Sequence, residues 1–156
     1  MAKTQTLSVP ALELQQVSKS FGRPVVAQLD LNVPQAQFYA LLGHNGAGKT
    51  TTLRMIAGLL LPDQGQIRIL GHDIVQQGMA ARQRMAYLPD EPMLYGKLKP
   101  YEYLEFVAGL WSVPSDVAQQ RAQELLQWLD LDKHSNALCE GFSRGMKQKL
   151  ALAGAL

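Results

Sequence analysis

Apolar and polar positions alternate along the first third of the chain in the rhythm of strands. Leu12-Glu13-Leu14-Gln15 alternates as a half-buried strand does, and Ser18 to Gly22 reads as a turn. Val25 to Val33 alternates again, with Val26, Leu29, Leu31 and Val33 as inward positions. Phe38 to Leu42 is an unbroken apolar run closed by Gly43, which predicts a strand buried on both faces. The period then changes. Lys49 to Leu60 places Leu53, Ile56, Ala57 and Leu60 on one helical face, and Pro62-Asp63-Gln64-Gly65 stops the helix in a turn. Gln66 to Leu70 predicts a strand, Met79 to Arg84 a short helix, and Met85 to Leu88 one more strand. After Pro89 the pattern is helical over Tyr101–Trp111 and Ser115–Leu129, with Ser115 and Asp116 as caps for the second. Pro100 and Pro114 sit near the two helix starts, where proline costs no hydrogen bond, and Ser143 begins a last helix. The order predicts an α/β chain with a helical insertion.

Composition narrows the class. Apolar residues make up 47% of the 156 and charged residues 18%, which describes a globular chain and excludes intrinsic disorder. Fifteen Lys and Arg against thirteen Asp and Glu leave +2, too balanced for a binder of nucleic acid or membrane driven by charge. The longest apolar runs, Met55–Leu61 and Leu150–Leu156, have seven residues each, far short of a bilayer span. Met1–Pro10 is polar and is not expected to be a secretory signal. The single cysteine, Cys139, excludes an internal disulfide and suits a reducing compartment. His44, His72 and His134 share no metal-binding spacing.

The strongest chemical signal is Gly43-His44-Asn45-Gly46-Ala47-Gly48-Lys49-Thr50, which fits the pattern G-x-x-x-x-G-K-[ST] between a predicted strand and a predicted helix. By residue usage the four fixed positions coincide in roughly one chain in two hundred of this length, so chance does not explain them. Phosphate oxygens lying against backbone N–H groups need small residues, hence Gly46, Ala47 and Gly48. The helix opening at Lys49 adds its unpaired N–H groups and dipole to the same anion. Lys49 supplies a point charge, and the Thr50 hydroxyl suits Mg²⁺, which takes oxygen ligands. Downstream, Asp90 and Glu91 suggest a magnesium carboxylate and a water-polarising base, although Pro89 breaks the strand that would hold them.

A larger pattern uses more of the chain. The loop extended through Thr51-Thr52-Leu53, followed by Gly58-Leu59, Pro62-Asp63, Gly65 and Gly71, resembles the ATP-binding cassette of transporters, and the resemblance runs from about Leu12 to Leu156. It implies ATP and Mg²⁺ as ligands, with Gly43 to Thr51 on the phosphates and Phe21 stacked on adenine. Asp90 falls where the family has a glutamine that touches Mg²⁺ and the transmembrane partner, so Thr50 and Asp90 are the expected metal-facing residues. Gly141-Phe142-Ser143-Arg144-Gly145-Met146-Lys147-Gln148-Lys149 resembles the family signature, in which Ser143 and Gly145 would meet the γ-phosphate of ATP held by an opposite subunit. Taken alone, that segment is also an ordinary Ser N-cap on a basic helix.

The resemblance implies a P-loop NTPase core with an antiparallel β subdomain and an inserted helical subdomain. The expected boundaries are a flexible N-terminus over 1–11, a β and phosphate-loop core over 12–89, a helical subdomain over 90–140 and the signature helix over 141–156. Tyr95, Tyr101, Tyr103, Phe106, Trp111 and Trp128 are read as core of the helical part. The implied partners are transmembrane permease subunits and a second nucleotide-binding subunit arranged head to tail, with no nucleic acid. The implied place is the cytoplasmic face of a membrane. The sequence reads as a cassette truncated before the strand with the catalytic glutamate and switch histidine, and is expected to bind ATP without hydrolysing it. Two alternatives stay open: a soluble cassette ATPase of translation or DNA repair, and a stand-alone phosphotransferase using Asp90 and Glu91.

Overall fold

The structure, a computed structural model, describes residues 9–156, so most of the N-terminal segment expected to be flexible lies outside the described residues. The chain divides into two compact units, the first running to Met85 and the second spanning Ala86–Leu156. No helix among the described residues is long and apolar enough to cross a membrane.

In the first unit, β1 (Leu12–Ser20) pairs antiparallel with β2 (Pro24–Val33) on one side and with β3 (Gln64–Ile69) on the other. A short β4 (His72–Asp73) completes a four-stranded sheet of order β2-β1-β3-β4. Simple alternation would send Leu14 and Val17 to opposite faces, yet both are buried in one core with Val26, Met55, Ile67 and Ile69. A bulge reconciles them. The register shifts between Leu14 and Val17, and Gln16 takes a left-handed φ of 50°. Asp30 on β2 holds that bulge, accepting from the Gln16 N–H at 2.8 Å and from the Gln16 side-chain amide. Across from it Gly65 has φ +86°, and a Cβ there would stand 2.4 Å from the carbonyl oxygens of both Gln15 and Gln16. Gly65 therefore serves a strand and its bulge as well as the turn expected at 62–65.

Helix α1 (Lys49–Ile56) ends four residues before the apolar period suggests. Gly58 enters the left-handed region at φ 69°, and Leu59 N–H to the Arg54 carbonyl (2.9 Å) with Gly58 N–H to the Met55 carbonyl (3.0 Å) form a Schellman stop. A second helix, α2 (Gly78–Arg82), follows an Asp73 turn whose carboxylate accepts from the Val75 and Gln76 N–H groups.

Two expected strands do not form. Phe38–Leu42 and Met85–Leu88 are extended in pattern only, and Phe38 and Leu42 are 98% and 87% exposed. A strand exists through the ladder of a neighbour, and no described segment pairs with either.

The second unit is helical: α3 (Pro100–Leu110), α4 (Ser115–Trp128) and α5 (Arg144–Ala155), with single 3₁₀ turns at Asp132–His134 and Cys139–Gly141. The start of α3 is closed by Glu102, whose carboxylate accepts from the Lys99 N–H at 2.7 Å. Ser115 and Asp116 do not cap α4; Pro114 occupies that position and no side chain bonds there, leaving Asp116 to face the helix dipole from the first turn. Leu104, Ala122, Leu126, Leu131, Cys139, Phe142 and Leu150 form the core. Burial pushes the Cys139 thiol up from its ordinary pKa, which makes it an inert packing group. The aromatic residues expected in this core are mostly outside it. Tyr103 alone is half-buried and packs against it, while Tyr95, Tyr101, Phe106, Trp111 and Trp128 are exposed, Trp128 by 67%. Small and aliphatic residues let the helices approach closely: a Cβ on Gly154 would stand 3.2 Å from the Tyr103 ring.

Gly65→Ala is expected to cost about 3 kcal/mol in chemical denaturation, since strain and a backbone clash add. Gly22→Ala, also at positive φ but with open space around its Cβ, should cost only about 1 kcal/mol.

Candidate phosphate-binding site

The motif residues Gly43 to Gly48 form a loop, exposed as far as Ala47, that runs into α1 at Lys49 and Thr50. Its glycines serve different needs. Gly46 has φ +85° and open space around its absent Cβ, so its requirement is conformational and its emptiness is room for a ligand. Gly48, at φ +82°, is buried, and a Cβ there would lie 2.7 Å from the Val25 carbonyl oxygen and 3.1 Å from Val26 Cγ2. That contact seats the end of the loop on β2. Thr52 and Met55, both buried, pin α1 to the same unit.

Lys49 folds back along the loop. Its Nζ donates to the Gly43 carbonyl at 2.6 Å and to the His44 carbonyl at 2.8 Å. The Ala47 N–H also bonds the His44 carbonyl, at 3.1 Å, and His44 Nδ1 donates to the Asn45 carbonyl at 2.8 Å. Loop carbonyls are thus gathered by internal donors. No side chain caps α1 and no acidic residue stands in its first turn. The start of the helix therefore keeps its unpaired N–H groups and positive dipole end. The residues fit a polyphosphate: backbone donors, no competing anion and an ammonium on the rim. Among the described residues no group of three or more His, Cys, Asp or Glu could hold a metal alone. A magnesium ion here would rest on the exposed Thr50 hydroxyl together with phosphate oxygens and water. Thr51 is half-buried behind it.

Phe21 lies in the same unit, on the three-residue turn between β1 and β2, and is 57% exposed. Asp63, just before β3, was legible as a turn residue but not as an anchor. Its Oδ1 accepts from Lys19 Nζ at 2.6 Å and its Oδ2 from the Ser20 N–H at 2.8 Å. The Lys19 bond, then the Ser20 bond, holds the Asp63 carboxyl below its ordinary pKa.

The remaining candidates belong to the second unit. Asp90 and Glu91 are exposed in an irregular segment, so neither stands at the strand end that a stand-alone phosphotransferase would need. The Asp90 carbonyl accepts from Gln148 Nε2 of α5 at 3.3 Å, a link the sequence did not signal. Ser143 is the N-cap of α5, its Oγ accepting from the Met146 N–H at 3.3 Å, and Gly145 is exposed in the first turn. The capping role read for Ser143 in isolation is therefore present.

The sequence profile of the ABC transporter family matches residues 26–156. This chain belongs to that family. The matched stretch takes in the phosphate loop, Asp90 and the Ser143 helix, and the α/β arrangement described above is that of an ATP-binding cassette. Over 155 residues it is 37% identical to the Nod factor export ATP-binding protein I of Cupriavidus pinatubonensis (strain JMP 134 / LMG 1197), covering 96% of this chain and 48% of that protein. The SkfA peptide export ATP-binding protein SkfE of Bacillus subtilis (strain 168) is 35% identical over 146 residues, covering 93% of this chain and 60% of that one. A solved structure of the ATP-binding subunit of an ABC transporter superposes with a TM-score of 0.83 at 32% identity, over 93% of this chain and 61% of the other. The chain thus spans about half the length of the curated relatives it matches.

In an NMR titration the Asp63 carboxyl should show a midpoint below the reference value of 3.8, and Lys19→Met should raise it. The sign follows from a depressed carboxylate: the anchor is fully present above pH 3.8 and is lost as pH falls through the folded-state midpoint.

Proposed function

We propose that this chain is the nucleotide-holding part of an ABC transporter ATP-binding subunit, most specifically one serving export. The loop Gly43–Thr51 holds the phosphates of ATP, Lys49 meets them with its ammonium, and Thr50 offers oxygen to Mg²⁺; Asp90, in the second unit, takes the metal-facing role that the resemblance implies for its position. Bound Mg²⁺ would supply charge neutralisation between phosphate oxygens. Phe21 takes the adenine, and Ser143 with Gly145 faces the γ-phosphate of a nucleotide on a second, head-to-tail subunit. The passage itself belongs to transmembrane permease subunits, with this chain peripheral on the cytoplasmic face of the membrane. Export is supported by the names of both curated relatives.

The observation that carries the reading is the division of groups in the loop. Carbonyls at Gly43 and His44 are occupied by Lys49, while an uncapped helix start leaves donors for an anion. A triphosphate can draw the ammonium from those carbonyls because its charge makes the stronger, charge-assisted hydrogen bonds. The same reading holds that these 156 residues bind ATP without hydrolysing it alone, since none of them matches the family's catalytic glutamate or switch histidine.

Lys49→Ala should weaken binding of a fluorescent adenine nucleotide by about tenfold to a hundredfold, the worth of one charged hydrogen-bonding group. Unchanged affinity in a variant that melts like the parent would end this reading. Purified protein with Mg-ATP should release no phosphate above a no-protein blank, and turnover abolished by Lys49→Ala would overturn the assignment as a binder only.

A further inference from the structure

The turn that carries Phe21 is held by groups the phosphate loop does not use. Asp63 bonds three successive residues at the end of β1: its N–H donates to the Ser18 carbonyl at 2.9 Å, and its carboxylate takes Lys19 Nζ and the Ser20 N–H. Phe21 comes next, its N–H closing the turn on the Arg23 carbonyl at 3.0 Å. The anchored ammonium of Lys19 stands 5.6 Å from the centroid of the Phe21 ring. A cation at that distance is attracted by the negative face of an aromatic quadrupole. Lys19 is only 13% exposed at its side chain, so its position is not a passing rotamer of a solvated lysine. The Phe21 ring, in contrast, remains more than half exposed.

We infer that Asp63 is a positioning residue for the base of the bound nucleotide: through Lys19 and the Ser20 N–H it sets the Phe21 ring with an ammonium against it and exposed surface left for a purine. The proposal rests on the reading of Phe21 as the adenine platform. Stacking on such a platform uses the flat face of the base and not its edges, so the ligand class is purine nucleotides with little discrimination among them. Lys19 and the Ser20 N–H hold the Asp63 pKa below its ordinary value, so the anchor stays a carboxylate even under mildly acidic conditions. The side chain sits at the edge of β3 and touches no loop residue in any of its bonds, so its effect travels through Phe21.

The test compares ATP with inorganic tripolyphosphate, which has the phosphates and no base, by calorimetry on the full chain with Mg²⁺. Phe21→Ala should remove most of the preference for ATP. Asp63→Asn should narrow it by about threefold to tenfold, part of the worth of one stacked base, with tripolyphosphate affinity unchanged within about twofold. Lys19→Met should act like Asp63→Asn, and Lys19→Arg, which keeps the cation, should restore the preference. The double variant Phe21→Ala/Asp63→Asn should bind ATP no more weakly than Phe21→Ala alone, because both act through one ring. Loss of ATP and tripolyphosphate in equal measure in both Asp63→Asn and Lys19→Met would reduce the pair to fold support and overturn the proposal. An intact ATP preference in Phe21→Ala would remove the platform reading and this proposal with it. An intact preference in Asp63→Asn beside a lost one in Phe21→Ala would overturn the proposal alone.

Discussion

One close approach organises the first unit. Residue 48 sits so near the Val25 carbonyl that a single methyl group would stand 2.7 Å from its oxygen. Only glycine permits that contact, and only with it can the loop end, the start of α1 and the edge strand β2 meet. Three further features depend on it in turn. The seat of Gly48 sets where the first helical N–H groups emerge; buried Thr52 and Met55 keep the helix there; Lys49 closes the loop over its own carbonyls. The geometry of the loop is a property of this packing as much as of its glycine content.

Much of this was legible because local chemistry and pattern agreed. The loop motif, the start of α1 at Lys49, the cap at Ser143 and the extents of α3 and α4 all rest on residues within a turn of one another. What could not be read depends on partners distant in sequence. The bulge at Gln16 is set by Asp30 and Gly65, and no periodicity announces it. Phe38–Leu42 has the composition of a buried strand, but composition does not provide a ladder. Lys19 and Asp63 are separated by 44 positions and look like two unrelated surface charges until the sheet brings them together. The rings expected in the core of the second unit differ for another reason: large rings are usually sheltered, yet here leucine, alanine, Cys139 and Phe142 fill the core, with Tyr103 packed against it, which leaves Tyr95, Tyr101, Phe106, Trp111 and Trp128 on the outside.

The second unit also shows how a cap can leave a helix start open. Ser143 must stop the chain and start α5, which its Oγ does through the Met146 N–H. A helix start built this way keeps further N–H groups in its first turn, and exposed Gly145 adds no side chain to cover them. Structural capping and anion recognition are therefore compatible at this position. The run into that cap is tied down as well: Glu140 N–H bonds the Gly96 carbonyl, Cys139 N–H the Leu98 carbonyl, and Lys97 pairs with Glu140.

The bond between Ser20 and Asp63 has an entropic side. The hairpin of β1 and β2 needs only a three-residue turn and closes by local contacts. The β1–β3 ladder must bring together positions 46 (Ser18 and Gln64) to 57 (Leu12 and Ile69) apart, with the whole phosphate loop and α1 in between. Closing a long segment sacrifices chain entropy before any ladder bond compensates it, so this pairing carries the larger closure cost of the two. The phosphate loop and α1 thus lie within the segment that the β1–β3 ladder closes, and the Asp63 carboxylate fastens the end of that ladder beside the Phe21 turn.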